Sequence, residues 1–336
     1  MQSYLFLTDS IKNHVKREPP VILVGLPRSG SSFLSDILRQ TDDWYVFDDL
    51  YLYREAKAIG ADKGYLSEAQ LDRLLYFLGW QIRARLQFGT FSVPNMSMED
   101  VDAMDEALRT LYKKERVTWS ELLEEWMLRL AHNQGCRRWG YKAPQDFLHT
   151  EILNSAFPGL KYIFIQRDPR SMMRSLKYVH DNDGNPKQYH PLVYSLYWKS
   201  CAQKMAAMRE QGDEFLLIRF EDLVSRTADI AGEIAAFLDS PMLKELEIKQ
   251  SNSSFHNKKK QELTSTEIWL IEKVAGEYLQ AGGYEKSSSA PEVMGILEVI
   301  RVSFVFTSYQ IGRVFKKKSA LVSIKSMIGS LGRSKA

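Results

Sequence analysis

Val21-Ile22-Leu23-Val24-Gly25-Leu26-Pro27-Arg28-Ser29-Gly30-Ser31-Ser32-Phe33 decides the fold. The apolar run Val21 to Val24, rich in β-branched residues and closed by Gly25, reads as a buried parallel strand. A polar loop follows, bounded by Gly25 and Gly30 and closed by Ser31 and Ser32. Phe33, Leu34, Ile37 and Leu38 then fall at helical spacing. Strand, loop and helix in that order aim backbone N–H groups and the positive end of a helix at a bound anion.

Working outward, the charged lead-in Lys12 to Glu18 ends at Pro19-Pro20, just ahead of this strand. Downstream, Arg138 to Lys142, Tyr162 to Gln166 and Phe215 to Phe220 read as three further strands. Helices are predicted over Phe147–Phe157, Ser171–Val179, Leu192–Arg209 and Thr227–Leu238. Such alternation implies an α/β fold, a three-layer parallel sheet with helices on both faces, and the strand–loop–helix opening makes its P-loop nucleotide-triphosphatase-like form the expected one. Residues from about 65 to 133 are rich in Leu, Glu, Arg and Met and read as an α-helical insertion, a common place for a substrate lid. Residues 1–286 form the expected α/β domain, and 287–336 a basic, amphipathic, helical C-terminal tail that begins near Ser287-Ser288-Ser289-Ala290-Pro291.

The chain has 336 residues, 44% of them hydrophobic and 26% charged, which fits a globular protein and excludes a disordered or fibrous one. Cys136 and Cys201 cannot build a disulfide framework or a thiolate zinc site, so a reducing compartment is expected. Net charge is +3, unevenly spread. From Val293 to the end there are eight basic residues against one acid, Glu298, leaving the rest of the chain at −4. A negative body argues against nucleic-acid binding. The stretch Tyr4 to Leu7, followed by Asp9, is too short for a signal peptide, and Glu298, Arg301 and Arg313 interrupt the longest apolar segment. A cytoplasmic protein is expected, with peripheral association at the inner membrane face as an option. The tail suits an anionic membrane surface, packing on the body or a homodimer contact.

A triphosphate-binding loop would read G-x-x-x-x-G-K-[ST]. Here Ser31 stands at the Lys position and the loop's cation is Arg28. No strand ends in a lone Asp suited to Mg²⁺. Pro27-Arg28-Ser29-Gly30-Ser31-Ser32-Phe33 instead resembles the 5′-phosphosulfate loop of sulfotransferases that use 3′-phosphoadenosine 5′-phosphosulfate (PAPS). Tyr162 to Arg170, with Ser175 beyond it, resembles the same family's 3′-phosphate element. Lys142-Ala143-Pro144 ahead of Phe157-Pro158-Gly159, and Arg219-Phe220-Glu221-Asp222-Leu223, follow in the family's order. The resemblance spans Pro20 to Glu285.

It implies transfer of a sulfuryl group from PAPS to a hydroxyl on a small molecule, a carbohydrate or a lipid, by positioning and charge stabilisation without a metal. A P-loop kinase or nucleotide triphosphatase, and a non-catalytic nucleotide-binding scaffold, are the alternatives. Arg28 is expected on the 5′-phosphosulfate with donors from Ser29, Gly30, Ser31 and Ser32. Arg167 and Ser175 are expected on the 3′-phosphate, at the opposite end of the donor. Phe33 stands where many members stack a Trp on adenine, and Phe220 where many carry Tyr. A salt bridge from Arg167 to Asp168 or Glu221 is the bland alternative. Lys142 is expected near the transferring group.

The base is less defined. Many relatives place a His two residues after the Lys-x-Pro segment; here Asp146 occupies that position and equally suits a helix N-cap. Asp48-Asp49 lies where bacterial carbohydrate sulfotransferases similar to the trehalose enzyme carry a carboxylate base, and repulsion between neighbours would favour proton uptake. Asp49 is the first candidate, followed by Asp48 and Asp146. Asn257-Lys258-Lys259-Lys260 sits at the Arg-Lys-Gly loop of the cytosolic enzymes but lacks its glycine, and reads as a solvated loop.

Overall fold

The structure, a computed structural model, describes residues 7–11, 18–41, 43–89, 93–177, 189–241 and 262–316. Asn257 to Lys260 and the tail beyond residue 316 lie outside them.

The opening motif forms β1 (Val21–Gly25), buried throughout, and α1 (Ser31–Leu38). β2 (Trp44–Phe47), α2 (Leu52–Ala58), α3 (Glu68–Phe88), α4 (Met98–Tyr112), α5 (Trp119–Asn133) and β3 (Arg138–Lys142) follow. A 3₁₀ segment, Pro144–His149, leads into α6 (Thr150–Ala156) and β4 (Lys161–Gln166). Next come α7 (Pro169–Lys177), α8 (Pro191–Gln211), β5 (Phe215–Arg219), α9 (Phe220–Ser225) and α10 (Thr227–Phe237). α11 (Ser265–Ala275), α12 (Glu277–Ala281) and α13 (Val293–Lys316) close the described chain.

The strands form one five-stranded parallel sheet in the order β2-β3-β1-β4-β5, an α/β fold. From β1 the chain moves out to β2 and β3 on one side, while β4 and β5 lie on the other. The order therefore reverses between β1 and β4. Leu23 pairs with Lys142 and Phe47 with Tyr141 in parallel register.

The described residues divide into two compact units. One is drawn from Met1–Val24, Ser32–Ile163 and Ala231–Glu245; the other from Gly25–Ser31, Phe164–Ile230 and Leu246–Ala336. In the first unit, Ser67, Ser97 and Thr118 close capping boxes at the starts of α3, α4 and α5, the reciprocal pairing their local sequences encode. α5 is a core layer, not an exposed lid: Trp126 meets Phe47 edge-on at 5.0 Å, and Trp119 meets Phe157 at 5.9 Å. Glu125 and Arg129 on α5 are wholly buried and paired at 2.8 Å. Their remaining polar atoms hold the chain near residue 10: Ser10 Oγ and Ile11 N donate to Glu125, and Arg129 donates to the carbonyls of Leu7 and Asp9.

In the second unit, Phe164 of β4 packs edge-on against Phe215 of β5 at 5.1 Å, and α11 packs on α8.

Two sequence expectations change. β2 goes unread in the sequence because its apolar run is only four residues long, with Val46 its one β-branched residue. The helix expected over Phe147–Phe157 is a 3₁₀ turn followed by the shorter α6, since Pro144 opens a tighter turn.

Candidate active site

In the second unit, the loop after β1 turns under steric constraint. Gly25 lies so close to Ile165 that a Cβ would collide with that residue's carbonyl oxygen. Gly30, at φ +94°, lies against the Phe220 ring, which a Cβ would penetrate. Arg28 takes φ +71°, a left-handed conformation that a non-glycine residue adopts at a cost. That turn directs the Arg28 side chain to α7, where Nε donates to Ser175 Oγ at 3.0 Å. Arg167, just past β4, donates from Nη1 to the Arg28 carbonyl at 3.0 Å and lies over the Phe220 ring at 4.1 Å from its centroid. Trp198 Nε1 donates to the Arg167 carbonyl at 3.0 Å, locking the strand end.

Arg28, Arg167, Ser175, Gly30 and Phe220 thus form one cluster. Arg28 and Arg167 are linked through the Arg28 backbone carbonyl, which accepts from the Arg167 guanidinium. Arg167 does not take the salt bridges its neighbours suggest. Asp168 is held by Arg170 at 2.7 Å, and Glu221 accepts from the Asp168 N–H and the Tyr284 hydroxyl. Arg167 Nε is buried with no hydrogen-bond partner. Burial draws both guanidiniums below the usual arginine range; for Arg167 the attraction of Glu221 works against this, while the positive charges of Arg28 and Arg174 add to it. Desolvated cations pushed together are what a phosphate dianion relieves. Ser29 is buried with its hydroxyl turned to the Met172 sulfur at 3.8 Å, so that side chain is not presented to a ligand. Ser31 is buried as well.

In the first unit, the β2–β3 register places Asp48, one residue past Phe47, beside Lys142. Lys142 is buried, and its amine reaches Ser32 Oγ at 2.9 Å, Asp48 at 3.1 Å and Asp49 at 3.3 Å. Burial lowers its pKa and Asp49 opposes that. Asp48 is fully enclosed: Ser35 Oγ donates to it at 2.8 Å, Arg39 pairs with its other oxygen, and Arg85 of α3 donates to its backbone carbonyl. Asp49, at φ +49°, points its carboxylate outward with 42% of the side chain exposed. A lysine between the two carboxylates removes the repulsion their adjacency suggests.

Asp146 is buried within the 3₁₀ segment and accepts from the Tyr141 hydroxyl at 3.1 Å, in place of the N-cap role. Burial pushes its pKa up to about 7, with Tyr141 and Arg54 pulling the other way. Phe33 is half-buried on α1 and Ser32 exposed beside it. Ser35, Arg39 and Arg85 were not foreseen. Ser35 and Arg39 carry a faint signal as polar residues four apart, Arg39 lying just past α1; Arg85 carries none. Among the described residues no group of three or more His, Cys, Asp or Glu could hold a metal ion.

The family described as "Sulfotransferase family" matches residues 19–244 of the sequence. No curated protein matches it significantly. Among solved structures, the sulfotransferase domain from the curacin biosynthetic pathway is similar at 18% identity and TM-score 0.48, over 81% of this chain and 100% of that one. The sulfotransferase domain of the Synechococcus PCC 7002 olefin synthase is similar at 18% identity and TM-score 0.47, over 88% and 96%. A sulfotransferase from Mycobacterium avium is similar at 17% identity and TM-score 0.46, over 82% and 79%.

Proposed function

The chain belongs to the sulfotransferase family, and we propose that it transfers the sulfuryl group of PAPS to a hydroxyl of a small-molecule, carbohydrate or lipid acceptor. The observation that carries the reading is the joined pair Arg28 and Arg167, with Ser175 bonded to the first and the buried Nε of the second unpartnered. Gly30 lets the loop backbone pass directly against the Phe220 ring beside that pair.

PAPS supplies a sulfuryl group activated by its phosphate leaving group. The chain's own residues bind and orient. Arg167 and Ser175 would hold the 3′-phosphate, and the bond from Arg28 to Ser175 ties the loop's cation to the same group. Phe220, already capped by the Arg167 guanidinium, would limit water on that side. Asp49 is the base in this reading: it would take the acceptor's proton as the acceptor oxygen bonds to sulfur and the sulfur–phosphate-oxygen bond breaks. Asp48 and Asp146 are enclosed and bonded, so neither reaches a substrate proton. Lys142, holding Ser32 and both carboxylates, would orient Asp49 and offer positive charge to the departing oxygen.

The test is thermal stabilisation by adenosine 3′,5′-bisphosphate against ATP with Mg²⁺. A shift with the bisphosphate alone, lost in Arg167→Ala, is expected. A shift with ATP alone would defeat the reading in favour of a triphosphate enzyme. Binding of the bisphosphate without sulfation of any alcohol would favour the scaffold.

A further inference from the structure

α13 is turned inside out for a helix in water. Its inner side faces the second unit, where Gly295 is buried against Thr266, Ser303 Oγ lies 2.9 Å from His190 Nε2, and Phe306 meets the His190 ring at 5.2 Å. Val293, Leu297, Ile300, Phe304 and Ile311 recur at intervals of three, four and seven on the other side, with Phe304 80% exposed. A large apolar stripe left to solvent marks an interaction surface.

We propose that this stripe docks in the plane of an anionic lipid surface. The choice of occupant rests on charge. From Val293 onward the chain carries a net charge of +7, and Arg313, Lys316, Lys317 and Lys318 follow directly on the stripe. A second copy packed in parallel on the same face would bring two such tails together and be repelled, and an antiparallel copy would leave each tail's charge without a counter-charge. Anionic headgroups attract the same charges while the acyl region takes up the apolar side chains, the two weak anchors that together hold an amphipathic helix at an interface.

Orientation follows from the contacts. The segment Val293–Gly312 is long and apolar enough to span a bilayer by length and composition, but α13 packs along α11 on one side and carries the ion pair Glu298–Arg301 at 2.7 Å. A helix with one flank on protein and an ion pair near its middle lies along the interface.

Flotation of the full chain with vesicles of phosphatidylglycerol and phosphatidylcholine, against phosphatidylcholine alone, tests the proposal. Binding to the anionic vesicles only is expected, with loss at high salt. Ile300→Glu with Phe304→Glu should cut partitioning at least about tenfold. Replacing Lys316, Lys317 and Lys318 by Ser should cut it on the order of a hundredfold, and this variant leaves the stripe intact. No flotation of the full chain, or flotation of either variant equal to that of the parent, overturns the proposal. So does a dimer in lipid-free light scattering that Ile300→Glu with Phe304→Glu converts to monomer. Retention after alkaline carbonate washing would mark a span and overturn it too.

Discussion

Arg28 Nε donates to Ser175 Oγ at 3.0 Å, joining residues 147 positions apart in sequence and tying the loop after β1 to α7. The bond makes the loop's cation and the helix hydroxyl one device, so neither should act alone in binding a donor nucleotide. Replacing Ser175 by Ala removes one hydrogen bond to a charged group and the tie between the loop and α7. Affinity for adenosine 3′,5′-bisphosphate should fall about tenfold in isothermal calorimetry, with the unliganded melting temperature nearly unchanged. Unchanged affinity would remove Ser175 from the site.

Gly30→Ala tests the loop by shape. A methyl group there meets the Phe220 ring, and φ +94° disfavours any side chain. Bisphosphate affinity should drop more than tenfold, with about 1–3 kcal/mol lost from unfolding free energy. Affinity within twofold of the parent would show that the loop's backbone does not meet the ligand.

The adjacent carboxylates Asp48 and Asp49 should separate cleanly. Asp49→Asn leaves Lys142 and Arg39 their buried counter-charge and should lower kcat by about 10²–10⁴ with little change in stability. Asp48→Asn strips that counter-charge and should cost about 3–5 kcal/mol in chemical denaturation. A stable Asp48→Asn protein, or a fully active Asp49→Asn one, would reverse the assignment.

Asp146 makes a pH prediction. Its folded pKa, about 7, lies above the ordinary carboxylate value, so the folded state binds the proton more tightly than the unfolded one. Its contribution is fully present below about pH 4 and is lost as pH rises through about 7, on the order of 4 kcal/mol at most. Asp146→Asn removes this dependence. Denaturation curves at about pH 5 and about pH 8 should show the parent losing more stability than the variant; parallel losses would contradict the buried-acid account.

The Glu125–Arg129 pair is a stability test away from the site. Both side chains are fully enclosed and bonded to the chain near residue 10. Removing either partner alone, as in Arg129→Met, should cost about 3–5 kcal/mol by leaving a buried charge unpaired. Glu125→Leu with Arg129→Met together should cost less than the sum of the single changes.

The α/β fold was legible from Val21 to Leu38 and from the alternation beyond Arg138, because strand burial and helix periodicity are written in neighbouring residues. The residue types of the candidate site were legible as well: Arg28, Arg167 and Ser175 stand in motifs, Lys142 ends a strand, and Asp48-Asp49 is an adjacent acidic pair. What those groups touch was not. Parallel register alone set Asp48 beside Lys142, and α3 folding back brought Arg85 to the Asp48 carbonyl from 37 positions away. Enclosure separates Asp49 from Asp48, and a left-handed turn at Arg28 sends its guanidinium to Ser175. Even the helical pattern of α13 was plain, while the side it turns to water was not, since periodicity reports that a face exists and only packing decides which face is covered.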